Sequence, residues 1–361
     1  MDMWGDVMRY EKTEKLLQTA AVLLCTGIYF KNAAGVMAAV KQALLLCYNV
    51  VIPSLFVFMV ICSVVSCLEC SSLLAVPFMP FFRLLHIENR RVAACCVLAV
   101  LGGFATGGIM LDRIRNEYNC DKNTLGILSI LMTGNSPSFV ILAVGVHYLE
   151  NIRSGVILYL SVLLSACITA FFMSFIYTPQ HISATKEHLV ITNNIVDSIR
   201  SSTAAILNIC GVVTITFSLC KVFSLYTDNS FILLILSAFT EVTTACETVY
   251  IHFGRNIYLL LLTLTVLPVS AYLQIKSIGN NSTFSLKMVI ISKLLQLPLS
   301  VLILRTLLNL FPQVLNVYAN GDISVNAYWN KPHISLCFLA VCLCFAIVSS
   351  KKSEVFTKGQ K

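Results

Sequence analysis

The most reactive prospect in the sequence is a carboxyl group set among threonines. In FTEVTTACETV, 239–249, Glu241 is followed by Thr243, Thr244 and Glu247, with apolar runs on both sides. A carboxyl at membrane depth costs roughly 3 kcal/mol or more and faces a cavity or a partner. There it would carry a proton, hold a cation or accept hydrogen bonds from a polar solute. A second stretch, TGNSPSF, 133–139, offers Asn135, Ser136 and Ser138 as neutral donors and acceptors. Pro137 removes a backbone donor between them and disturbs any helix. A third, SAYLQIKSI, 270–278, ends an apolar run with the two-sided amide of Gln274. The fourth resource is backbone. LGGFATGGIMLDRIRN, 101–116, sets Gly102, Gly103, Gly107 and Gly108 around Phe104 and Thr106. Glycine lets a helix break and another backbone approach. Freed N–H groups at membrane depth then need protein or a wet cavity around them.

Each feature also has a plainer use. Gly103 and Gly107 form G-x-x-x-G, a helix-packing spacing. Threonines in apolar helices bond back to their own carbonyls. Asn135 and Pro137 would end a helix at a surface, and Glu241 would fit a short exterior loop near the turn 227–230. The six histidines are dispersed near segment ends and read as interfacial.

The elements that must position these groups are set by composition. Hydrophobic residues make up 57% of the chain, charged residues 12%, and mean hydropathy is +0.83. Soluble domains carry about 25% charged residues. Long apolar runs recur throughout, so the class is all-α, a polytopic helical membrane protein. Runs such as FILLILSAF do not alternate, which excludes a β-barrel. The net charge of +8 lies between apolar runs, without a basic helix or aromatic interleaving, so no nucleic-acid partner is expected. Most of the 15 cysteines sit in apolar runs as small hydrophobes, and one C-x-x-C, Cys67 to Cys70, has no second pair; no metal is expected. No H-E-x-x-H, G-x-S-x-G or P-loop occurs, which argues against an enzyme.

Ten apolar segments are legible, at roughly 16–30, 50–70, 92–111, 124–149, 155–177, 203–226, 231–251, 256–275, 287–311 and 333–349. Residues 36–49 read as an amphipathic approach helix and 76–91 as interfacial. A polar N-terminal segment, 1–15, precedes a membrane domain, 16–349, and a basic tail, 350–361, follows it. Segment 178–200 is the linker between halves at about 36–177 and 201–311. If all ten segments crossed, Arg83, Arg90 and Arg91 would oppose Arg113, Arg115 and Lys122. Letting 92–111 and 231–251 enter and return from opposite faces removes the conflict. About eight spanning helices then remain, plus two re-entrant hairpins, with both termini cytoplasmic and a possible inverted repeat. Of the 25 Lys and Arg, 17 fall inside, three lie in apolar segments, and Lys31, Lys41, Arg153, Arg255 and Lys331 fall outside. Two breaks entering from opposite faces meet near the midplane, as in many secondary transporters.

Several landmarks resemble, in order, those of the YlbJ-type sporulation integral membrane proteins within the wider nucleoside-recognition (Gate) domain family. VIPSLFVFMVI, 51–61, is similar to the family's F-P-S-L-F-P-F segment. GGFATGGIMLDRI, 102–114, is similar to its G-Y-P-x-G-A-K block. GNSPSFVILAVG, 134–145, FTEVTTACE, 239–247, and SAYLQIKSI, 270–278, resemble N-x-S-x-P-x-F-I-x-G, L-F-E-V-T-x-G and G-x-S-V-x-x-Q. The resemblance covers roughly 35–310. Phe104-Ala105 stands in place of Tyr-Pro, Met110-Leu111 where the family has its lysine, and Ala245 in place of a glycine. It implies a multi-pass protein of a bacterial inner membrane, a connection to endospore formation, and a distant relationship to nucleoside transporters.

The expectation is therefore a transporter-like protein moving or sensing a small polar solute such as a nucleoside. The expected solute contacts are Gly103, Phe104, Thr106, Gly107, Gly108, Asn135 and Ser136 from one half, and Glu241, Thr243 and Gln274 from the other. No cofactor is expected beyond a coupling H+ or Na+ at Glu241. The lipid bilayer is the expected partner, and a homo-oligomer stays open. The alternative, of a different class, is a membrane scaffold for envelope or spore morphogenesis with no transport.

Overall fold

The computed structural model describes residues 26–179, 183–184, 195–278 and 285–311, with positions 19 and 23 besides. The N-terminal segment 1–15, most of the linker 178–200, the apolar segment 333–349 and the tail 350–361 lie outside these residues. In chain order, α1 (Ala33–Leu46) runs through a π-helical turn (Cys47–Val51) into α2 (Ile52–Cys67). A 3-10 stretch (Glu69–Phe78) leads to α3 (Met79–Leu84) and α4 (Arg90–Glu117). Then come α5 (Lys122–Met132), α6 (Phe139–Tyr148, wound as a π-helix) and α7 (Ile152–Ile176). The second half holds α8 (Ile195–Ser224), α9 (Ser230–Thr240), α10 (Val242–Phe253), α11 (Ile257–Thr265), α12 (Val269–Ile278) and α13 (Leu286–Leu310). Tyr118–Asn119 pairs antiparallel with Ser183–Ala184 as the two-residue strands β1 and β2.

Polar residues start the helices where the apolar runs begin. Asn89, Asp121, Asn151, Asn229 and Asn256 each accept from first-turn N–H groups that have no helical partner of their own. Along α7 the usual inside and outside are exchanged. Ser154, Ser161, Ser165 and Thr169 are buried, while Leu160, Leu164, Phe172 and Phe175 are exposed. Ser161 and Thr169 donate back to Ile157 and Ser165 carbonyls at 2.7 Å and Ser165 to Val162 at 2.8 Å, whereas the Ser154 hydroxyl has no hydrogen-bond partner. Such a helix is built for an apolar surround.

Among the described residues five helices are long and apolar enough to cross a membrane, or six if Leu55–Ser66 and Ser71–Leu84, bent by 100°, count as one. That is fewer than the eight expected. Segment 16–30 is described only in part, 333–349 not at all, and 124–149 is divided into α5 and α6. Length and composition also hide two interruptions within the five. Ile257–Lys276 breaks between Thr265 and Val269, and Arg90–Glu117 breaks at Gly103, where φ is 77° and ψ −164°.

The Gly103 break folds α4 back on itself. A straight helix would hold Arg91 and Tyr118 about 40 Å apart. Instead, Tyr118 lies within electrostatic reach of both Arg91 and Cys95; burial pushes its phenol up and the Arg91 and Arg113 guanidinium groups oppose it. α9 and α10 form a second hairpin with its tip at Glu241. Ser230 Oγ and His252 Nδ1 meet at 3.2 Å, and the Phe231 and Phe253 rings at 5.0 Å, so the open ends are side by side. Each arm is about 17 Å long, near half the roughly 30 Å of a bilayer core.

The two hairpins open at opposite ends of α7. Tyr118 belongs to the same buried apolar cluster as Met173 near the end of α7, and its strand pairs just beyond that helix. Arg255, after α10, bonds Glu150 at 2.5 Å, just before α7 begins. α7 is 25 residues long, which separates the two mouths by about 38 Å. α6 and α7 touch through glycines: a Cβ on Gly155 would lie 2.8 Å from Gly145 Cα and 2.9 Å from Ile141 O. Gly155→Ile is expected to part α6 from α7 and lower the melting temperature of detergent-purified protein by several degrees.

Candidate functional site

Both hairpin tips and both helix breaks surround one cavity of about 50 Å3 in the middle of the fold. The first tip contributes Gly102, Gly103 and Phe104, and the second Glu241 and Thr243. The α5–α6 break contributes Asn135 and Ser136, and the start of α12 contributes Ser270 and Gln274. Val51 and Leu55, with Ile209 and Val213 of α8, close one side with apolar groups.

Gly103 is where the first tip turns. Its φ suits glycine, and a Cβ there would stand 2.9 Å from the Ser136 backbone nitrogen. The tip is thus seated directly on the α5–α6 break. At that break Ser136 Oγ lies 3.0 Å from Ser138 Oγ and accepts from the Phe139 N–H at 3.2 Å, capping α6. Asn135 crosses to the other half and donates to the Leu264 carbonyl at 2.7 Å. The reason is Pro268: a helix through it would bond Leu264 to the residue 268 N–H, which proline lacks. Asn135→Leu leaves that buried carbonyl unpaired. A loss of about 1–3 kcal/mol is expected, read as reduced thermal stability in detergent.

Glu241 has extended backbone, φ −155° and ψ 125°, between α9 and α10, and is 1% exposed. An exterior-loop position is thereby excluded. Its Oε2 accepts from the Thr244 N–H at 2.6 Å and the Thr244 hydroxyl at 2.9 Å. The carboxylate is therefore the cap of α10, at the positive end of the helix dipole. Capping alone does not explain the residue type. Asn, Asp, Ser and Thr are the preferred caps, and Asn or Asp serves at the other five starts described above. Among the helix starts described above, a glutamate takes this place only at the cavity.

Seven of the ten expected contacts come together here: Gly103, Phe104, Asn135, Ser136, Glu241, Thr243 and Gln274. Thr106, Gly107 and Gly108 do not line the cavity. Gly107 lies against α5, where a Cβ would stand 2.0 Å from the Met132 carbonyl oxygen. Gly108 meets Ile275 at 3.4 Å. Both lie at helix-packing contacts outside the cavity lining. Thr106 is buried, and its hydroxyl has no hydrogen-bond partner.

Ser270 was not foreseen as a contact. It stands one turn before Gln274 on the same helix face, just after Pro268, and that spacing was the available signal. A buried Lys293 in α13, donating to Gln296 Oε1 at 3.2 Å, was also passed over; it lies away from the cavity lining. No known family, curated protein or solved structure matches the chain.

Proposed function

We propose that this chain is a transporter-like integral membrane protein that moves a small polar solute through the central cavity. In this reading the two hairpins are re-entrant, entering from opposite faces and meeting near the bilayer midplane. The succession hairpin, broken helix, long helix occurs twice, as α4, α5–α6, α7 and as α9–α10, α11–α12, α13. With the mouths at opposite ends, this is an inverted repeat, the arrangement in which half-helix ends hold solute and coupling ion.

The observation that carries the reading is the convergence of four backbone breaks on one cavity, largely apolar in surface but edged by Asn135, Ser136, Thr243 and Gln274, with one break bearing a buried carboxyl group. Irregular backbone at membrane depth is tolerated where it is enclosed by protein or lines such a cavity. A volume of about 50 Å3 holds a few water molecules. Ligand pockets run to roughly 300–1,000 Å3, so a nucleoside enters only when the hairpins part. The motif resemblance supports a nucleoside as the first solute to test, Glu241 as the site of a coupling proton or Na+, and a spore-former's inner membrane as the setting.

The test uses the full chain in lipid vesicles with labelled uridine and adenosine. The expected result is accumulation that depends on an imposed proton or sodium gradient and disappears with the gradient. No gradient-dependent uptake of either would overturn the reading for nucleosides and favour a scaffold that transports nothing.

A further inference from the structure

A second cavity lies near Glu241, and Thr244, which bonds the Glu241 carboxylate, lines it. Behind the α9–α10 tip lies a cavity of about 100 Å3, enclosed by α8, α9 and α10. It has room for several water molecules. Thr244, Glu247, Thr248 and His252 of α10 line it, with Lys221 and Ser224 of α8 opposite. Thr244, Thr248 and His252 are four residues apart in turn, so they share one face of α10 from near the tip to the mouth.

These groups are linked to one another. Thr244 holds the Glu241 carboxylate through its N–H and hydroxyl, and so links it to the second cavity, which Thr244 lines. The Thr248 hydroxyl donates to the Thr244 carbonyl at 2.8 Å. Glu247 is 3.7 Å from the Lys221 ammonium and accepts from Gln42 at 3.1 Å. His252 stands exposed at the hairpin mouth, against Ser230.

We propose that this second cavity is the water path by which a proton reaches Glu241 from the mouth of the α9–α10 hairpin. It rests on the reading of Glu241 as the coupling group. In the step, an O–H bond forms on the Glu241 carboxylate as one breaks on the Thr244 hydroxyl, which takes a proton in turn from a cavity water. That water regains a proton through the chain of waters from His252, Glu247 or bulk solvent at the mouth. A proton needs only the chain of hydrogen bonds, whereas the one carboxylate lining this space, Glu247, is paired with Lys221 at 3.7 Å and adds no net charge to draw a metal cation. Cys47, Tyr148, Cys220 and Cys246 also lie within electrostatic reach of Glu241. Of these only Cys220 borders the second cavity, and it is engaged with Thr240.

The experiment is infrared spectroscopy of the full chain in lipid vesicles across roughly pH 4 to 9, a range spanning ordinary carboxyl and imidazole titration. The protonated-carboxyl stretch absent from Glu241→Gln identifies the group, and its shift on transfer to D2O times its exchange. Thr248→Trp and, separately, Ser224→Trp fill the second cavity from opposite walls. Each is expected to slow the exchange about tenfold or more. Unchanged exchange in both, slowing only when the central cavity is filled by Ala271→Phe, or no band attributable to Glu241 at any pH would overturn the path. If both fillings slow exchange while the wild-type protein takes up no nucleoside, the path stands and the transport reading falls.

Discussion

Glu241→Gln is expected to reduce gradient-driven solute uptake to background while leaving the protein folded in the membrane. The amide keeps the length of the side chain and one oxygen to accept from Thr244, whose N–H and hydroxyl now reach Oε2. α10 therefore keeps its cap, and the melting temperature should move by no more than a few degrees. What disappears is the ability to gain and lose a proton or to balance a cation. Because only the coupled step is removed, downhill exchange of labelled solute across vesicles without a gradient should persist. Glu241→Asn separates the roles further: it is a preferred cap and cannot titrate. It should match Glu241→Gln in transport. Full gradient-driven uptake by Glu241→Gln would remove Glu241 from the coupling role, whatever the fate of the cavity.

The glycines of the first hairpin should divide sharply by position. Gly103→Val places a β-branched residue at φ 77° and ψ −164°, a region close to glycine-only, and drives its Cβ to 2.9 Å from the Ser136 nitrogen. Backbone strain of about 1–3 kcal/mol adds to an overpacking cost of similar size. The first hairpin should then fail to seat on the α5–α6 break, seen as loss of monodisperse protein in detergent. Gly107→Ala should be nearly as damaging, since its Cβ would meet the Met132 carbonyl oxygen at 2.0 Å and neither backbone can yield cheaply. Gly108→Ala, one residue on, meets Ile275 at 3.4 Å, an ordinary contact. It should cost less than about 1 kcal/mol. Equal tolerance of all three substitutions, by thermal unfolding, would show that the hairpin does not seat as described.

These glycines also show how far the sequence could be read. The block 102–108 announced a break and close packing together, but not which glycine did which. The division became visible only when Ser136 and Met132 were found beneath Gly103 and Gly107. Glu241 was legible because a carboxyl between apolar runs has few tolerable places. Asn135 was read as a solute contact, and it does border the cavity. Its hydrogen bond goes to Leu264, 129 residues away, in place of a donor that Pro268 lacks. No local pattern carries that pairing. The segment 124–149 read as one span because apolar residues continue on both sides of TGNSPS; Pro137 was the sign of the break that divides it. The polar face of α10 from Thr244 to His252 was present in the spacing, but only its packing against α8 and α9 encloses a cavity there.

The central claim is that two hairpins bring their tips from opposite faces to one cavity. It is tested most directly by thiol accessibility in the chain with its 15 cysteines replaced. Single thiols at Ala105 and Thr243 are treated with a membrane-impermeant reagent from each side of sealed vesicles, with and without uridine. The predicted result is reaction at each position from one face only, from opposite faces for the two, with uridine slowing both. Reaction of both thiols from the same face, or of neither from any face, would contradict the account.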